Sequence, residues 1–414
     1  MLGIEWCGRS MLIARAFKYE LDPNNQQRTR LSQHAGCARF AYNWGLQQRI
    51  ALYRQNQDKK RFTSAIAQHR ELNRLKRTVF PWMYEASKCA PQEALRDLDR
   101  AFRNFYRGLK SGKRVGFPRF KKRGVHDSFR VTGTIRFVGR MIQLPRLGRI
   151  RLKEKRESYF KGRVLSATVT RRADRWYVSV TVEMEIGTPE PPSGEPVGVD
   201  LGVKALATLS DGIRYSNPRV LEKKLRKLRR LSKSLSRTKR RSKNRERARL
   251  GLARLHLRVF NIRQDSLHKI TTYLAKNHSQ IVIEYLCVSG LLKNRKLSRV
   301  IADVGFYEFR RQLEYKCEWY GSELVVAPRF YPSSKRCSAC GNIKREMTLS
   351  DRVYVCDECG LEMDRDLNAA CNLVAASWTE TENACGEDVR LVTDPAGSAE
   401  QTSMNQEPNI SQGH

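Results

Sequence analysis

Four cysteines near the end of the chain have the spacing of a zinc ribbon. Cys337 and Cys340 form one C-x-x-C pair, and Cys356 and Cys359 form a second pair after fifteen intervening residues. Four thiolates complete the tetrahedral shell of Zn²⁺ and leave no open position, which is typical of a structural site. All seven histidines lie outside this segment. We therefore predict one structural zinc ion, held by the cysteines alone.

Three carboxylates are candidates for chemistry. Asp200 lies in the apolar string VGVDLG and Glu284 in the apolar string IVIEYL, where a charged side chain is costly without a partner. Asp366 follows Cys359 by seven residues. Singly, each has an ordinary explanation: Asp200 and Glu284 could be satisfied by a lysine or by backbone amides. Asp366 could cap the last helix, a part that Asp364 could equally play. Together, a strand Asp, a strand Glu and a helix-start Asp predict a ribonuclease H-like constellation.

Such a constellation suits phosphodiester hydrolysis, which requires an activated water and a stabilised leaving oxygen. Two divalent cations about 4 Å apart can supply both. Mg²⁺ prefers oxygen ligands and retains part of its water shell. We therefore predict that Asp200, Glu284 and Asp366 are catalytic and hold magnesium, with two ions in the site.

The charge of the chain indicates a polyanionic partner. Its 414 residues carry 79 Lys and Arg against 42 acids, a net charge of +37, which favours nucleic acid. A basic membrane-surface protein is the alternative, but no stretch approaches the roughly 18–20 apolar residues of a spanning helix. Met1–Ser10 also lacks the apolar run of a signal peptide. The seven cysteines outside the ribbon show no disulfide-like framework, which favours a reducing cytoplasm.

The pattern before residue 197 predicts strands around a helical region. Residues 12–19 read as a strand and 23–55 as helical, and a helix opens at Pro91. Between 128 and 185 the pattern is β, with a hairpin of Val164–Thr170 and Trp176–Val182. The apolar stripe of the helix that opens at Pro91 is expected to be core: Leu95, Leu98, Phe102, Phe105 and Leu109.

The pattern from residue 197 predicts a second folded region that carries the acids. Residues 197–210 read as two strands, 281–286 as a strand that contains Glu284, 303–320 as one helix and 324–327 as a strand. A helix hairpin is predicted between the strands of 197–210 and the strand of 281–286, and its second arm continues toward Leu274. The ribbon and a last helix follow, and the acidic segment after residue 379 is expected to be disordered.

Two segments are dense in basic residues. Residues 107–123 hold eight Lys or Arg and no acid, and Arg219–Arg263 holds nineteen Lys or Arg and two acids. The second could be a solvated coiled-coil arm, but one sign of charge at this density repels itself unless phosphates neutralise it. The predicted nucleic-acid contacts are Arg119, Lys121, Lys122, Arg226, Arg229, Arg230, Arg240 and Arg241.

These residues resemble the TnpB (OrfB) family, the RNA-guided nucleases of small bacterial insertion sequences. The resemblance covers about residues 11–378, and Met11 is the expected natural start. It is carried by VGVDLGVKALATLSDG (197–212), IVIEYL (281–286), FRRQLEYKCEWYG (309–321), YPSSKRCSACG (331–341), CDECGLEMDRDLNAACNL (356–373), and the earlier AFKYELDP and GFPRFKKR.

The resemblance implies an α+β, multidomain architecture. A ribonuclease H-like (RuvC) nuclease domain would contain the inserted four-cysteine zinc ribbon, and an N-terminal wedge β domain would carry a helical recognition domain. The expected parts are an extension (1–10), the first wedge strand (11–22), the recognition domain (23–125), the wedge domain (126–186), a linker (187–196), the nuclease domain with the basic hairpin 219–263 (197–330), the ribbon (331–363), the last nuclease helix (364–378) and the acidic tail (379–414).

The resemblance also implies the activity. The chain is expected to cut double-stranded DNA beside a short flanking motif, using a guide RNA from the element's own end, with one protein per RNA, and so to support transposition. Asp200, Glu284 and Asp366 match the family's catalytic triad. A prokaryotic, cytoplasmic, nucleoid-associated protein is expected. The alternatives are an RNA-guided repressor that does not cut, which would lack a triad acid, and a transposase that joins strands itself.

Overall fold

The computed structural model describes residues 10–55, 63–112, 115–154, 161–348 and 351–383. The predictions made for residues 1–9 and for the tail from 384 onward lie outside these ranges. Contacts within the chain separate two compact units. The first unit comprises Met1–Glu190 with Val220–Asp265, and the second comprises Pro191–Arg219 with Ser266–His414. No helix in the described ranges is both long enough and apolar enough to cross a membrane.

The first unit contains one antiparallel sheet of seven strands, in the order β2-β6-β7-β1-β5-β4-β3. Its strands are β1 (Ser10–Asp22), β2 (Ser128–Val131), β3 (Arg136–Val138), β4 (Met141–Leu144), β5 (Gly148–Leu152), β6 (Arg163–Arg172) and β7 (Arg175–Gly187). The first strand of the chain therefore lies in the middle of the sheet. The predicted strand over 12–19 and the predicted hairpin are both confirmed. Along β1 the odd-numbered residues face inward, including Arg15, because successive side chains alternate between the faces.

The helices of the first unit lie between β1 and β2 and after the last strand of this sheet. They are α1 (Asn25–Gln55), α2 (Ala65–Thr78), a short 3₁₀ helix (Pro81–Glu85), α3 (Cys89–Lys110), α4 (Val220–Arg237) and the first part of α5 (Lys243–Asn277). Leu95, Leu98 and Phe102 of α3 are buried, as predicted, in a core shared with α1 and the sheet. The prediction was wrong for Leu109, which is 56% exposed, because the last turn of α3 extends past that core.

The basic hairpin consists of α4 and α5, and its second arm continues as one helix to Asn277, as predicted. Leu228, Leu255 and Val259 are buried along the arms, while most of the basic side chains are exposed. An ion pair of 2.7 Å joins Arg254 on α5 to Asp174 in the turn between β6 and β7. The sequence prediction grouped the hairpin with the region after residue 197, but by its contacts Val220–Asp265 belongs to the first unit.

The second unit contains a five-stranded sheet in the order β10-β9-β8-β11-β12. Its strands are β8 (Val197–Asp200), β9 (Ala205–Leu209), β10 (Arg214–Ser216), β11 (Gln280–Ile283) and β12 (Glu323–Val326). The first three form an antiparallel meander, and β11 then pairs in parallel with both β8 and β12. The helices α6 (Val288–Leu291), α7 (Ser298–Val304), α8 (Phe306–Tyr320) and α9 (Arg365–Asn383) complete the unit, with a two-stranded ribbon of β13 (Val353–Val355) and β14 (Glu362–Asp364).

Two details of the second unit differ from the prediction. The single helix expected over 303–320 is interrupted at Gly305, whose φ of +81° ends α7 and begins α8, a left-handed conformation that glycine adopts without strain. The strand expected over 281–286 ends at Ile283. Glu284 therefore follows the strand instead of lying within it.

Candidate active site and metal centre

Asp200 and Glu284 lie at the same edge of the second sheet. Asp200 is the last residue of β8, not a mid-strand residue as predicted, and Glu284 directly follows β11. The two strands are parallel, with Val199 opposite Ile283. Continuing this register by one residue sets Glu284 beside Asp200, one strand spacing of about 4.8 Å away. Carboxyl ends of neighbouring parallel strands are where open sheets of this kind bind ligands.

The third acid comes from the first turn of α9. Asp366 does not cap this helix, because Asp364 does so: Asp364 Oδ1 accepts hydrogen bonds from the backbone N–H groups of Asp366 (2.9 Å) and Leu367 (3.2 Å). The same oxygen lies 2.7 Å from Nη2 of Arg214 on β10. The alternative that sequence left open is thereby resolved, and the carboxylate of Asp366 does not serve as the cap.

Helix α9 approaches β8 unusually closely at Gly198. A Cβ atom at that position would lie 1.9 Å from the carbonyl oxygen of Ala370, which is far inside any real contact. Ala369, Ala370 and Leu373 of α9 are buried against the sheet. The glycine is thus required for the approach that brings the first turn of α9 toward the end of β8.

The pKa of Asp200 depends on the other two acids. Burial, with the negative charges of Asp366 and Glu284 nearby, raises the pKa of Asp200 to about 7. Arg365 opposes this shift in part, and its guanidinium lies 3.6 Å from Asp366 Oδ1. Burial also raises the pKa of Glu284. The structure therefore brings together the three acids that the sequence singled out, in surroundings that disfavour their joint ionisation.

The donor atoms of the three acids are carboxylate oxygens alone, the kind that Mg²⁺ and other hard cations take. Among the described residues, the four cysteines are the group of three or more potential ligand atoms that lie within 4.8 Å of one another. The chemistry of the three acids therefore fits a hard cation such as Mg²⁺, and that of the cysteines a softer one.

The four predicted zinc ligands form one cluster. Sγ of Cys337 lies 3.6 Å from Sγ of Cys359, and Sγ of Cys340 lies 3.5 Å from Sγ of Cys356. A tetrahedron with Zn–S bonds of about 2.3 Å would separate its sulfurs by about 3.8 Å. The cluster can therefore bind a metal such as zinc.

Two asparagines attach the cysteine ribbon to α9. The side chain of Asn368 accepts from the Ser338 N–H (3.0 Å) and donates to the Arg336 carbonyl (2.7 Å). Asn372, one turn later, donates to the carbonyl of Ser333 (2.9 Å). Both side chains are buried. Sequence reasoning missed this contact, although two asparagines four residues apart in an apolar helix were a visible signal.

The predicted nucleic-acid contacts lie on the surface of the first unit, with one exception. Arg119 and Lys122 are exposed, as are the five arginines of the hairpin. Lys121 instead packs its ammonium 4.1 Å from the ring centre of Tyr42, and its backbone exchanges hydrogen bonds with Asn43. Burial lowers its pKa. Lys121 therefore contributes to the packing of the first unit.

Three parts of the chain match known family descriptions. Residues 11–58 match "Helix-turn-helix domain", 178–295 match OrfB_IS605, "Probable transposase", and 306–373 match "Cas12f1-like, TNB domain". Within 11–58, the described residues form β1 and the single helix α1. The third match spans α8, β12, the cysteine cluster and the start of α9, so it links the ribbon to the helix that carries Asp366.

Whole-length relatives are bacterial. The chain is 37% identical to "Putative RNA-guided DNA endonuclease InsQ" of Escherichia coli (strain K12), over 91% of this chain and 95% of the relative. It is 36% identical to a "Putative RNA-guided DNA endonuclease" of Streptomyces pristinaespiralis, over 96% of both chains. A Cas12f1 chain, solved by cryo-EM with sgRNA and target DNA, covers 88% of this chain with a TM-score of 0.53 and 13% identity.

Fold and site together define an α+β, multidomain protein with a Cas12f1-like fold and a four-cysteine cluster. The coverage and sequence identity of the bacterial relatives show the family as well as the fold. The chain belongs to the OrfB (TnpB) family.

Proposed function

We propose that this protein is an RNA-guided DNA endonuclease of a transposable element, which cuts double-stranded DNA beside a short flanking motif and so supports transposition. The observation that carries the proposal is the meeting of Asp200, Glu284 and Asp366 from three elements at one edge of the second sheet. The names of the bacterial relatives point to the same activity.

The catalytic residues are Asp200, Glu284 and Asp366, in a ribonuclease H-like (RuvC) domain. They would hold a pair of Mg²⁺ ions, which when bound supply an activated water and stabilise the leaving oxygen of the scissile phosphate. Asp200 would hold the ions together with the other two acids. Burial and its acidic neighbours favour its protonated form, so the positive charge of bound cations would favour the ionised form instead.

The remaining parts hold the acids and the nucleic acid. Asp364 and Arg214 fix the first turn of α9, and Gly198 allows that helix to reach β8. One Zn²⁺ on the four cysteines would stabilise the ribbon, which in turn contacts α9 through Asn368. The exposed arginines of the hairpin would neutralise backbone phosphates of the RNA and DNA without reading their sequence, since base pairing with the guide supplies the specificity.

The test is to purify the protein with RNA from its own genetic element and to sequence the RNA that co-purifies. The complex is then given duplex DNA that matches this RNA and carries a randomised flanking segment. The proposal expects magnesium-dependent cuts in both strands, confined to duplexes with one flanking motif. Binding of the matched duplex with no cleavage at any magnesium concentration would instead favour the repressor alternative.

A further inference from the structure

The first unit contains a cavity of about 330 Å³. The three carboxylates belong to the second unit. Three segments line the cavity: residues 124–127 before β2, the turn between β6 and β7, and α5 from Arg249 to Phe260. Its volume is at the lower end of ligand pockets, which span roughly 300–1,000 Å³. The ion pair between Arg254 and Asp174 ties α5 to the turn, so the walls of the cavity are connected to one another.

The lining of the cavity carries positive charge. Arg171, Arg172 and Arg249 line it together with His256 and a single acid, Asp127. Asp127 is engaged, because its Oδ1 lies 3.0 Å from Arg39 Nη1 and accepts from the Gly124 N–H at 3.1 Å, and its Oδ2 lies 4.0 Å from Arg171 Nη1. Three arginines against one acid leave the lining with a net positive charge, which favours an anion.

Arg171 is engaged within the protein, because its Nε donates a hydrogen bond to the carbonyl of Ala173. Arg172 and Arg249 make different contacts. Arg172 is exposed, and its charge adds to the effect of burial in lowering the pKa of Lys18. Arg249 binds Glu246 through Nε and Nη2, which leaves Nη1, at 3.9 Å from the Cβ position of Gly124. Both residues line the cavity and carry N–H donors of the kind that bind a phosphate group.

The lining of the cavity also has an apolar and aromatic part. Phe260 is 44% exposed although it belongs to a packed helix, and Ala253, Leu257 and Val125 add apolar surface to the lining. A nucleobase has an apolar face and carries a phosphate on its sugar, so a lining that combines an aromatic ring with arginines matches the two parts of one nucleotide.

We propose that this cavity binds a single unpaired nucleotide, with its base against Phe260 and its phosphate on Arg172 and Arg249. The nucleotide could come from the bound RNA or from the displaced strand of the DNA. The proposal rests on the proposed function for the presence of a nucleic acid, but it does not require cleavage. A nucleotide held there would fix the register of its strand along α5.

The experiment uses the complete protein with its co-expressed RNA. The complex is irradiated at short wavelength, with and without a matched DNA duplex, and the peptide that contains Phe260 is analysed by mass spectrometry for an attached nucleotide. A ribonucleotide found without DNA identifies the RNA as the source. A deoxyribonucleotide that appears only after DNA is added identifies the displaced strand.

Binding measurements on variants test the proposal quantitatively. Phe260→Ala should weaken binding of the source strand about tenfold, the scale of one base–aromatic stack, whereas Phe260→Tyr should retain it. The double variant Arg172→Ala/Arg249→Ala should bind with a weaker salt dependence, by the amount expected for the loss of about one phosphate contact. The controls are Arg258→Ala, an exposed arginine of α5 outside the cavity, and Tyr307→Ala, an exposed aromatic of the second unit.

The proposal is overturned if no nucleotide is attached to the Phe260 peptide in either condition, or if Phe260→Ala binds both strands as tightly as Phe260→Tyr. Failure of the proposed function looks different. A complex that cuts DNA but shows no attached nucleotide refutes the cavity alone. A complex that never cuts but carries a nucleotide on this peptide supports the cavity and refutes the endonuclease.

Discussion

The four cysteines and the three carboxylates lie in the same compact unit, yet their donor atoms are arranged differently. The sulfurs of the cysteines are all within 4.8 Å of one another and come from one short segment of the chain. The carboxylates come from three separate elements, β8, the end of β11 and α9. A closed shell of four protein ligands suits a structural ion, whereas three carboxylates leave positions for water and substrate.

The two sites also differ in what supports them. The cysteine cluster has a small core of its own, in which Tyr354 packs with Cys337 and Cys356. The carboxylates depend on contacts between distant elements, namely the fit of α9 on Gly198 and the ion pair of Asp364 with Arg214. Changes to the first site should therefore act on metal content and local folding. Changes to the second should act on activity, and in one case should even raise stability.

The largest effect is expected for the cysteines. Cys337→Ser should remove the one zinc ion per chain and unfold the ribbon, because the binding of a structural zinc ion is worth on the order of 10 kcal/mol to a small domain. Zinc content by elemental analysis, together with the thermal unfolding curve, measures this. Cys287→Ser, outside the ribbon, should keep its zinc. A zinc content unchanged in Cys337→Ser would contradict the assignment of the cluster.

Next come two of the carboxylates. Glu284→Gln and Asp366→Asn should each slow DNA cleavage on the order of a thousandfold, since a lost carboxylate ligand removes several kcal/mol of transition-state stabilisation. Zinc content and affinity for matched DNA should stay unchanged. Single-turnover cleavage by the RNA-bound protein is the measurement, with Glu318→Gln as the exposed control on α8. Full activity of either variant would remove that residue from the triad.

Gly198→Ala tests the contact between β8 and α9. The added methyl group would collide with backbone at Ala370, so the helix or the strand must move, at a cost of about 3 kcal/mol. Urea unfolding should show this loss, and cleavage should fall with it. Gly187→Ala is the matched control, because a Cβ atom there meets nothing within 4 Å. Equal stability of the two variants would mean that α9 does not require the glycine.

Asp200→Asn should stabilise the protein in magnesium-free buffer. Because the pKa of Asp200 is raised from 3.8 to about 7 in the folded protein, its ionisation costs stability progressively as the pH rises from 4 to 7. The cost is absent below the unfolded pKa and complete above the folded one. The variant should therefore gain up to about 4 kcal/mol over the native protein at pH 8 and nothing near pH 4, measured by denaturant unfolding. A stability difference independent of pH would show that Asp200 is not crowded by the other acids.

The smallest effect is expected for Arg214→Ala. The ion pair with Asp364 is partly exposed, so its loss should cost at most about 1 kcal/mol. Cleavage should slow by up to about tenfold because the first turn of α9 is less firmly held, while Arg214→Lys should recover part of the rate. Arg295→Ala serves as an exposed control. A cleavage rate equal to the native one would show that Asp364 holds α9 without help from Arg214.

The sequence singled out the four cysteines and the three acids that the structure brings together, but not the residues that support them. The cysteines were selected by spacing alone, since two C-x-x-C pairs at that separation fold locally. The acids were selected from their apolar surroundings, but both strand acids were expected within strands, whereas Asp200 is the last residue of β8 and Glu284 directly follows β11. Apolar pattern does not reveal where a ladder ends, because that depends on the partner strand.

Other features arise only from tertiary contacts. Arg214 and Gly198 act on residues that are distant in sequence, so no local pattern marked them. Charge density correctly indicated an exposed basic hairpin, but it also selected Lys121, which packs against Tyr42. A count of charges cannot distinguish a lysine that faces solvent from one that covers an aromatic ring. For the same reason, the sequence did not reveal the cavity beside Phe260.

The most direct test of the central claim compares DNA cleavage by the native protein and by Asp200→Asn, each bound to its RNA and given the same matched duplex. The account predicts that cleavage by the native complex rises with Mg²⁺, that the variant binds the duplex equally well, and that it does not cut at any Mg²⁺ concentration. Cleavage by Asp200→Asn at the native rate would contradict the assignment of the carboxylate site as the place where the DNA is cut.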